Sequence, residues 1–132
     1  MAGGQCHCGE IAYEVTGEPV HSALCHCADC RRCAGAPAVG WTAFSSEQFA
    51  LIRGEPALHG SSSGAERWSC GACGSGPYYI NEKVLPGLID IQTATLDDPD
   101  AFPPQAHIQM AEAIGWESTA DALPKFDRFP GP

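Results

Sequence analysis

Long apolar runs, basic clusters and extended helical patterns are what this sequence lacks. No stretch of its 132 residues approaches the roughly 18 consecutive apolar residues of a membrane-spanning helix. The start, Met1-Ala2-Gly3-Gly4-Gln5, has neither a basic opening nor an apolar stretch, so no secretory signal is read and a cytoplasmic location is expected. Cations are scarce: 7 Lys and Arg stand against 16 Asp and Glu, a net charge of -9. Val84 to Pro124 holds seven acids and no Lys or Arg, and Arg31-Arg32 is the one adjacent basic pair. Binding to nucleic acid or to an anionic membrane needs cations that displace counterions, so both partner classes are excluded. The acidic stretch reads as a solvated surface.

Helical periodicity is equally sparse. With 15 glycines and 11 prolines the chain is rich in turns, which argues against a bundle of long helices. Instead there are short β-type runs. Ile11, Tyr13 and Val15 alternate with Ala12 and Glu14 as a half-buried strand. Further strands are expected over Pro19–Leu24, Ala38–Phe44, Phe49–Ile52 and Leu88–Ala94, with extended approaches at Arg67–Ser69, Tyr78–Asn81 and Pro103–Ile108. Gly60 to Gly64 reads as a loop, and Glu112–Ala122 as containing one helical turn. Short strands separated by Gly and Pro predict a mainly β fold in one domain over residues 4–129. Trp41, Trp68 and Trp116 are expected in the core, with pocket-lining positions as the alternative.

Against this background eight cysteines stand out, in three clusters: Cys6-His7-Cys8, Cys25-x-Cys27-x2-Cys30-x2-Cys33, and Cys70-Gly-Ala-Cys73-Gly74. Without a secretory signal a disulfide framework is not expected, and the spacing suits chelation better than buried free thiols. Tetrahedral zinc, with Zn–S bonds near 2.3 Å, needs sulfurs about 3.8 Å apart, which close-set pairs supply. Cys70-x2-Cys73 provides two ligands, and Cys6-x-Cys8, whose side chains fall on one side of an extended segment, provides two more. Sixty-one residues separate Cys8 from Cys70, so this site reads as structural.

The middle cluster admits three readings. Cys25, Cys27 and Cys30 can hold a second zinc with an open fourth position, the pattern of a catalytic site able to bind and deprotonate a small thiol. Cys33 can instead close the site as a fourth ligand. An empty or regulatory thiol cluster is the third reading. Arg31 and Arg32 can grip a substrate carboxylate, or serve surface solvation or a contact to the thiolates. His26, between two candidate ligands, reads either as a general acid or as a residue turned away from the metal, second in line or at the surface. His107 reads as a site residue or a hydrogen-bonding partner, and His59 as exposed.

Taken together, Gln5-Cys-His-Cys-Gly9, Leu24-Cys-His-Cys-Ala-Asp-Cys-Arg-Arg32 and Trp68-Ser-Cys-Gly-Ala-Cys-Gly-Ser75 resemble the glutathione-dependent formaldehyde-activating family. Thr95-Leu-Asp-Asp98, Ala106-His-Ile108, Trp116 and Asp121-Ala-Leu-Pro124 look like that family's C-terminal landmarks. The resemblance implies a compact set of small coiled antiparallel β-sheets stapled by zinc, a fold shared with a zinc-binding chaperone of Rab GTPases. It implies a structural zinc on Cys6, Cys8, Cys70 and Cys73, and an active zinc on Cys25, Cys27 and Cys30. The reaction it implies is a carbon–sulfur lyase reaction in reverse, adding glutathione to formaldehyde to give S-hydroxymethylglutathione. The alternatives are a non-catalytic zinc scaffold binding a protein partner, supported by the fold kinship and Cys33, and a thiol-redox or metal-sensor role.

Overall fold

A computed structural model describes residues 1–131. In chain order its elements are β1 (Ala2–Gln5), β2 (Ala12–Val15), β3 (His21–Cys25), α1 (Ala28–Ala34), β4 (Val39–Ser45), β5 (Phe49–Arg53), β6 (Ala57–His59), β7 (Glu66–Ser69), β8 (Tyr78–Ile80), β9 (Leu88–Gln92) and β10 (His107–Ile108). The expected mainly β class holds. The strands form a three-stranded sheet, β1-β2-β5, and a seven-stranded sheet, β10-β3-β4-β9-β8-β7-β6. Neighbours pair antiparallel, except that β10 runs parallel to β3.

The core lies between the sheets. Tyr13 and Val15, the inward members of the alternating β2 pattern, pack with Phe44, Tyr78, Ile89 and Ile91 of the large sheet. Burying each of these side chains contributes about 1.5–3 kcal/mol. Tyr13 also places its hydroxyl 2.7 Å from Thr95 Oγ1, so the polar tip of the ring is satisfied.

The opposite face of the large sheet positions the site. Because side chains alternate along a strand, Trp41 and Ala43 of β4 point away from Phe44, and Asp90 of β9 points away from Ile89 and Ile91. Register then sets Arg67 opposite Tyr79, Tyr79 opposite Asp90, and Asp90 opposite Ala43, one row across four strands. Cys25, Cys30, Val39 and Trp41 form a second buried cluster on this face, and Tyr79 packs against it.

Several strand boundaries differ from those expected. The strand before Cys25 starts at His21, because Val20 is carried past β4 by one backbone bond, its N–H to Ala43 O, and is itself exposed. The strand beginning at Leu88 stops at Gln92, where a 3-10 turn over Thr93–Thr95 redirects the chain. The helical turn expected within Glu112–Ala122 is a 3-10 helix, Glu117–Ala122. Trp116 is 58% exposed, which overturns its assignment to the core: it lies in the run of short 3-10 turns beyond β10. Trp41 is buried as expected, and Trp68 is half-buried.

Candidate metal centres and an adjoining cleft

The first and third cysteine clusters meet across the molecule. Cys6 Sγ lies 3.7 Å from Cys8 Sγ, and Cys8 Sγ lies 3.7 Å from Cys70 Sγ. With Cys73 the four sulfurs all fall within 4.8 Å of one another, a group able to hold a metal ion. These separations match the edge of a tetrahedron with metal–sulfur bonds near 2.3 Å. Two loops of one design deliver them. Each ends in a glycine with positive φ directly after the second cysteine, Gly9 at 83° and Gly74 at 82°, where a side chain would strain the turn. Backbone amides then turn towards sulfur: Ile11 N donates to Cys6 Sγ at 3.2 Å and Cys73 N to Cys70 Sγ at 3.5 Å.

The middle cluster joins the end of β3 to the start of α1. Cys27 caps the helix, its sulfur accepting from Cys30 N at 3.2 Å, and that bond folds Cys25, Cys27 and Cys30 into a second group within 4.8 Å. Cys33 is not in that group: it lies one helical turn beyond Cys30, and it is exposed. β10 pins the strand on the other side. Leu24 N donates to Ala106 O at 2.9 Å and His26 N to Ile108 O at 3.1 Å.

His26 is fully buried, which excludes the surface position considered for it. Its Nε2 and His107 Nδ1 are hydrogen-bonded at 2.9 Å, so His107 is the partner of His26. Glu117 Oε2 approaches His26 Nδ1 at 4.0 Å. His59 is exposed, as expected.

Two charged residues that the sequence reading passed over complete the site. Arg67 Nη2 bonds Asp29 Oδ2 at 2.8 Å and reaches Cys30 Sγ at 3.5 Å, while Arg67 Nε bonds Ser61 Oγ at 2.7 Å. Its guanidinium lies 4.9 Å from the Tyr79 ring centre and 5.9 Å from that of Trp41. Burial alone would raise the Asp29 pKa, but the bonds from Arg67 and Ser61 prevail and hold it below the usual carboxylate range. The Cys30 thiol is brought down to about 5, first by its neighbour Cys25 and then, against burial, by Arg67. Cys25 is pushed up in turn, by Cys30 and by burial, as expected when two thiols share one proton. Arg31 and Arg32, for which a grip on a substrate carboxylate was one reading, do not line the cleft beside the cysteine trio; its guanidinium is that of Arg67.

That cleft has a volume of about 380 Å³. Its floor is Cys25, Cys27 and Cys30, and its walls include Trp41, Tyr79 and Asp90. Asp90 is 7% exposed, and its Oδ1 has no hydrogen-bond partner among the described residues. Alternation along Leu88–Gln92 marks Asp90 as facing away from Ile89 and Ile91, but nothing local in the sequence shows that this second face is also covered.

Comparison with known proteins agrees with this arrangement. Residues 1–112 match the sequence profile of the family described as glutathione-dependent formaldehyde-activating enzyme. A solved Rhodobacter sphaeroides protein superposes with a TM-score of 0.64 at 22% identity, covering 80% of this chain and 98% of its own, a likeness of fold. No curated protein matches the chain. Among the described residues no helix is long and apolar enough to cross a membrane.

Proposed function

Given that the chain belongs to the glutathione-dependent formaldehyde-activating family, we propose that it adds a small thiol, glutathione in the first instance, to an aldehyde such as formaldehyde. The observation that carries this reading is the position of the Cys25, Cys27 and Cys30 sulfurs at the floor of a cleft, with Cys33 outside the group. Cys6, Cys8, Cys70 and Cys73 would hold a zinc that staples the fold, and the trio a second zinc with one position left for a ligand. Zinc on the trio would supply Lewis acidity and lower the pKa of an incoming thiol.

The chain's own residues do the rest. Arg67, donating to Cys30, offsets part of the negative charge that three thiolates gather. Asp29 and Ser61 fix the direction of that guanidinium. Trp41 and Tyr79, their rings 5.6 Å apart, give the cleft an apolar wall that limits water. In the reaction the thiol sulfur bonds to the aldehyde carbon, the carbonyl electron pair moves to oxygen, and the oxygen takes a proton.

Magnetization-exchange NMR on glutathione and formaldehyde tests the reading. Faster interconversion with the hemithioacetal at micromolar protein supports it, together with two bound zincs of which one responds to added thiol. Two inert zincs and an unchanged exchange rate would favour the partner-binding scaffold, a reading supported by the exposed Trp116, Phe126 and Phe129 in the C-terminal segment.

A further inference from the structure

A buried carboxylate is costly unless something binds it, because ionisation in a medium of low polarity forfeits hydration. Asp90 is such a group. It is nine-tenths buried, its Oδ1 is unpartnered, and it lines the same cleft as the cysteine trio. The guanidinium that lines the same cleft is not bonded to it: the polar contacts of Arg67 go to Asp29, Ser61 and Cys30. Nor does Asp90 belong to the sulfur group that can hold a metal. Its cross-strand neighbours are Ala43, which offers no polar side chain, and Tyr79, whose hydroxyl is bonded to Asn81 Nδ2 at 3.0 Å. A carboxylate so placed, on a residue that lines a cleft and with hydrogen-bonding capacity the fold leaves unused, marks a position where a ligand oxygen completes the hydrogen bonding.

We propose that Asp90 is a catalytic residue of the thiol–aldehyde reaction, the group that gives a proton to the carbonyl oxygen during addition and takes it back in the reverse direction. The proposal rests on the reaction proposed above and adds to it the acid that the cysteines cannot supply. As the carbon–sulfur bond forms, the carbonyl π pair moves to oxygen and the Asp90 carboxyl transfers its proton there, which leaves a hydroxyl on the product and a carboxylate on the protein. The proton released when the next thiol ionises restores the carboxyl. One thiol and one aldehyde give one hemithioacetal, and neither oxidant nor reductant enters. Burial, and secondarily the charge of Cys30, push the Asp90 carboxyl up to about 7, which suits exchange of a proton near neutrality.

The test compares zinc-loaded parent, Asp90→Asn and Asp90→Glu by exchange NMR with glutathione and formaldehyde, alongside zinc content and thermal melting. For Asp90→Asn we expect turnover to fall about 100-fold, with the thiol KM and bound zinc within about twofold of the parent. Its melting point should not fall, and Asp90→Glu should recover part of the activity. Undiminished turnover in Asp90→Asn overturns the proposal while leaving the thiol–aldehyde reading intact. Loss of zinc, loss of thiol binding or failure to fold in Asp90→Asn also overturns it, by assigning the carboxylate to metal, thiol or structure. A parent protein with no activity on the pair removes the reaction and the proposal together.

Discussion

Arg67 and Asp29 form an ion pair of 2.8 Å across 38 positions of sequence, and the same guanidinium nitrogen reaches Cys30 Sγ. The pair therefore clamps β7 to the first turn of α1 and orients one of the three sulfurs at once. Arg67→Met should leave the half-buried Asp29 carboxylate with only its serine donors and the Cys30 sulfur without its guanidinium, lowering unfolding free energy by about 2 kcal/mol. Urea titration measures it. A double-mutant cycle with Asp29→Asn should show coupling, and strictly additive losses would mean that the two side chains act independently.

Sulfur substitutions should separate the two cysteine groups. Cys73→Ser removes a ligand from the group that joins β1–β2 to β7–β8, and we expect loss of one zinc together with loss of the cooperative thermal transition. Cys27→Ser should release the other zinc and abolish thiol binding while the far-ultraviolet spectrum stays native. Cys33→Ser should keep both metals, because Cys33 is exposed and outside the trio. Metal analysis and circular dichroism read all three. Equal effects of Cys27→Ser and Cys73→Ser would refute the division of labour.

Asp90 carries a pH signature of its own. Folding raises its pKa from the ordinary 3.8 to about 7, so between those values the folded chain binds more protons than the unfolded one. Stability from this group is therefore greatest below pH 4 and is lost as pH rises through 7. Asp90→Asn lacks the loss, so its stability advantage over the parent should grow by on the order of 3 kcal/mol from pH 4 to pH 8. Denaturant titrations across that range decide the point, and a constant gap would show that the carboxyl titrates normally.

His107→Ala should loosen the edge of the large sheet. It removes the 2.9 Å partner of the fully buried His26, at a cost of about 1–3 kcal/mol for an unsatisfied polar atom. The amides of Leu24 and His26, which donate to Ala106 and Ile108, should lose hydrogen-exchange protection before those of β4 and β9. Uniform loss across all strands would place His107 in the global stability instead.

What the sequence disclosed divides along physical lines. Cysteine spacing is legible because sulfur–sulfur distances at a metal are fixed by bond length: the two groups of sulfurs come together in space, although spacing alone left open whether Cys33 joins the second. The alternation in β2 is legible because one face of that strand is buried and the other is not. Arg67 and Asp90 were not legible. A charged residue within a strand ordinarily faces water, and here the cleft on the second face of the large sheet is lined by residues of α1 and by Ile108, which are distant in sequence from both strands, as well as by Leu85 just before β9. The helix α1 was equally hidden. Its cap is a cysteine, whereas helix starts are recognised by Ser, Thr, Asp or Asn. Trp116 misled in the other direction, since its type favours burial and yet it lies exposed in the C-terminal turns.

The two sulfur groups differ in how much chain they span, and during vectorial synthesis that difference becomes an order of events. Cys25, Cys27 and Cys30 leave the ribosome within six residues of one another and can capture an ion while most of the large sheet is still untranslated. Cys6 and Cys8 must wait for Cys70 and Cys73. A nascent chain starved of metal at the later moment would thus carry any first ion on an unfinished scaffold, and the last pair of sulfurs to emerge would close the longer loop.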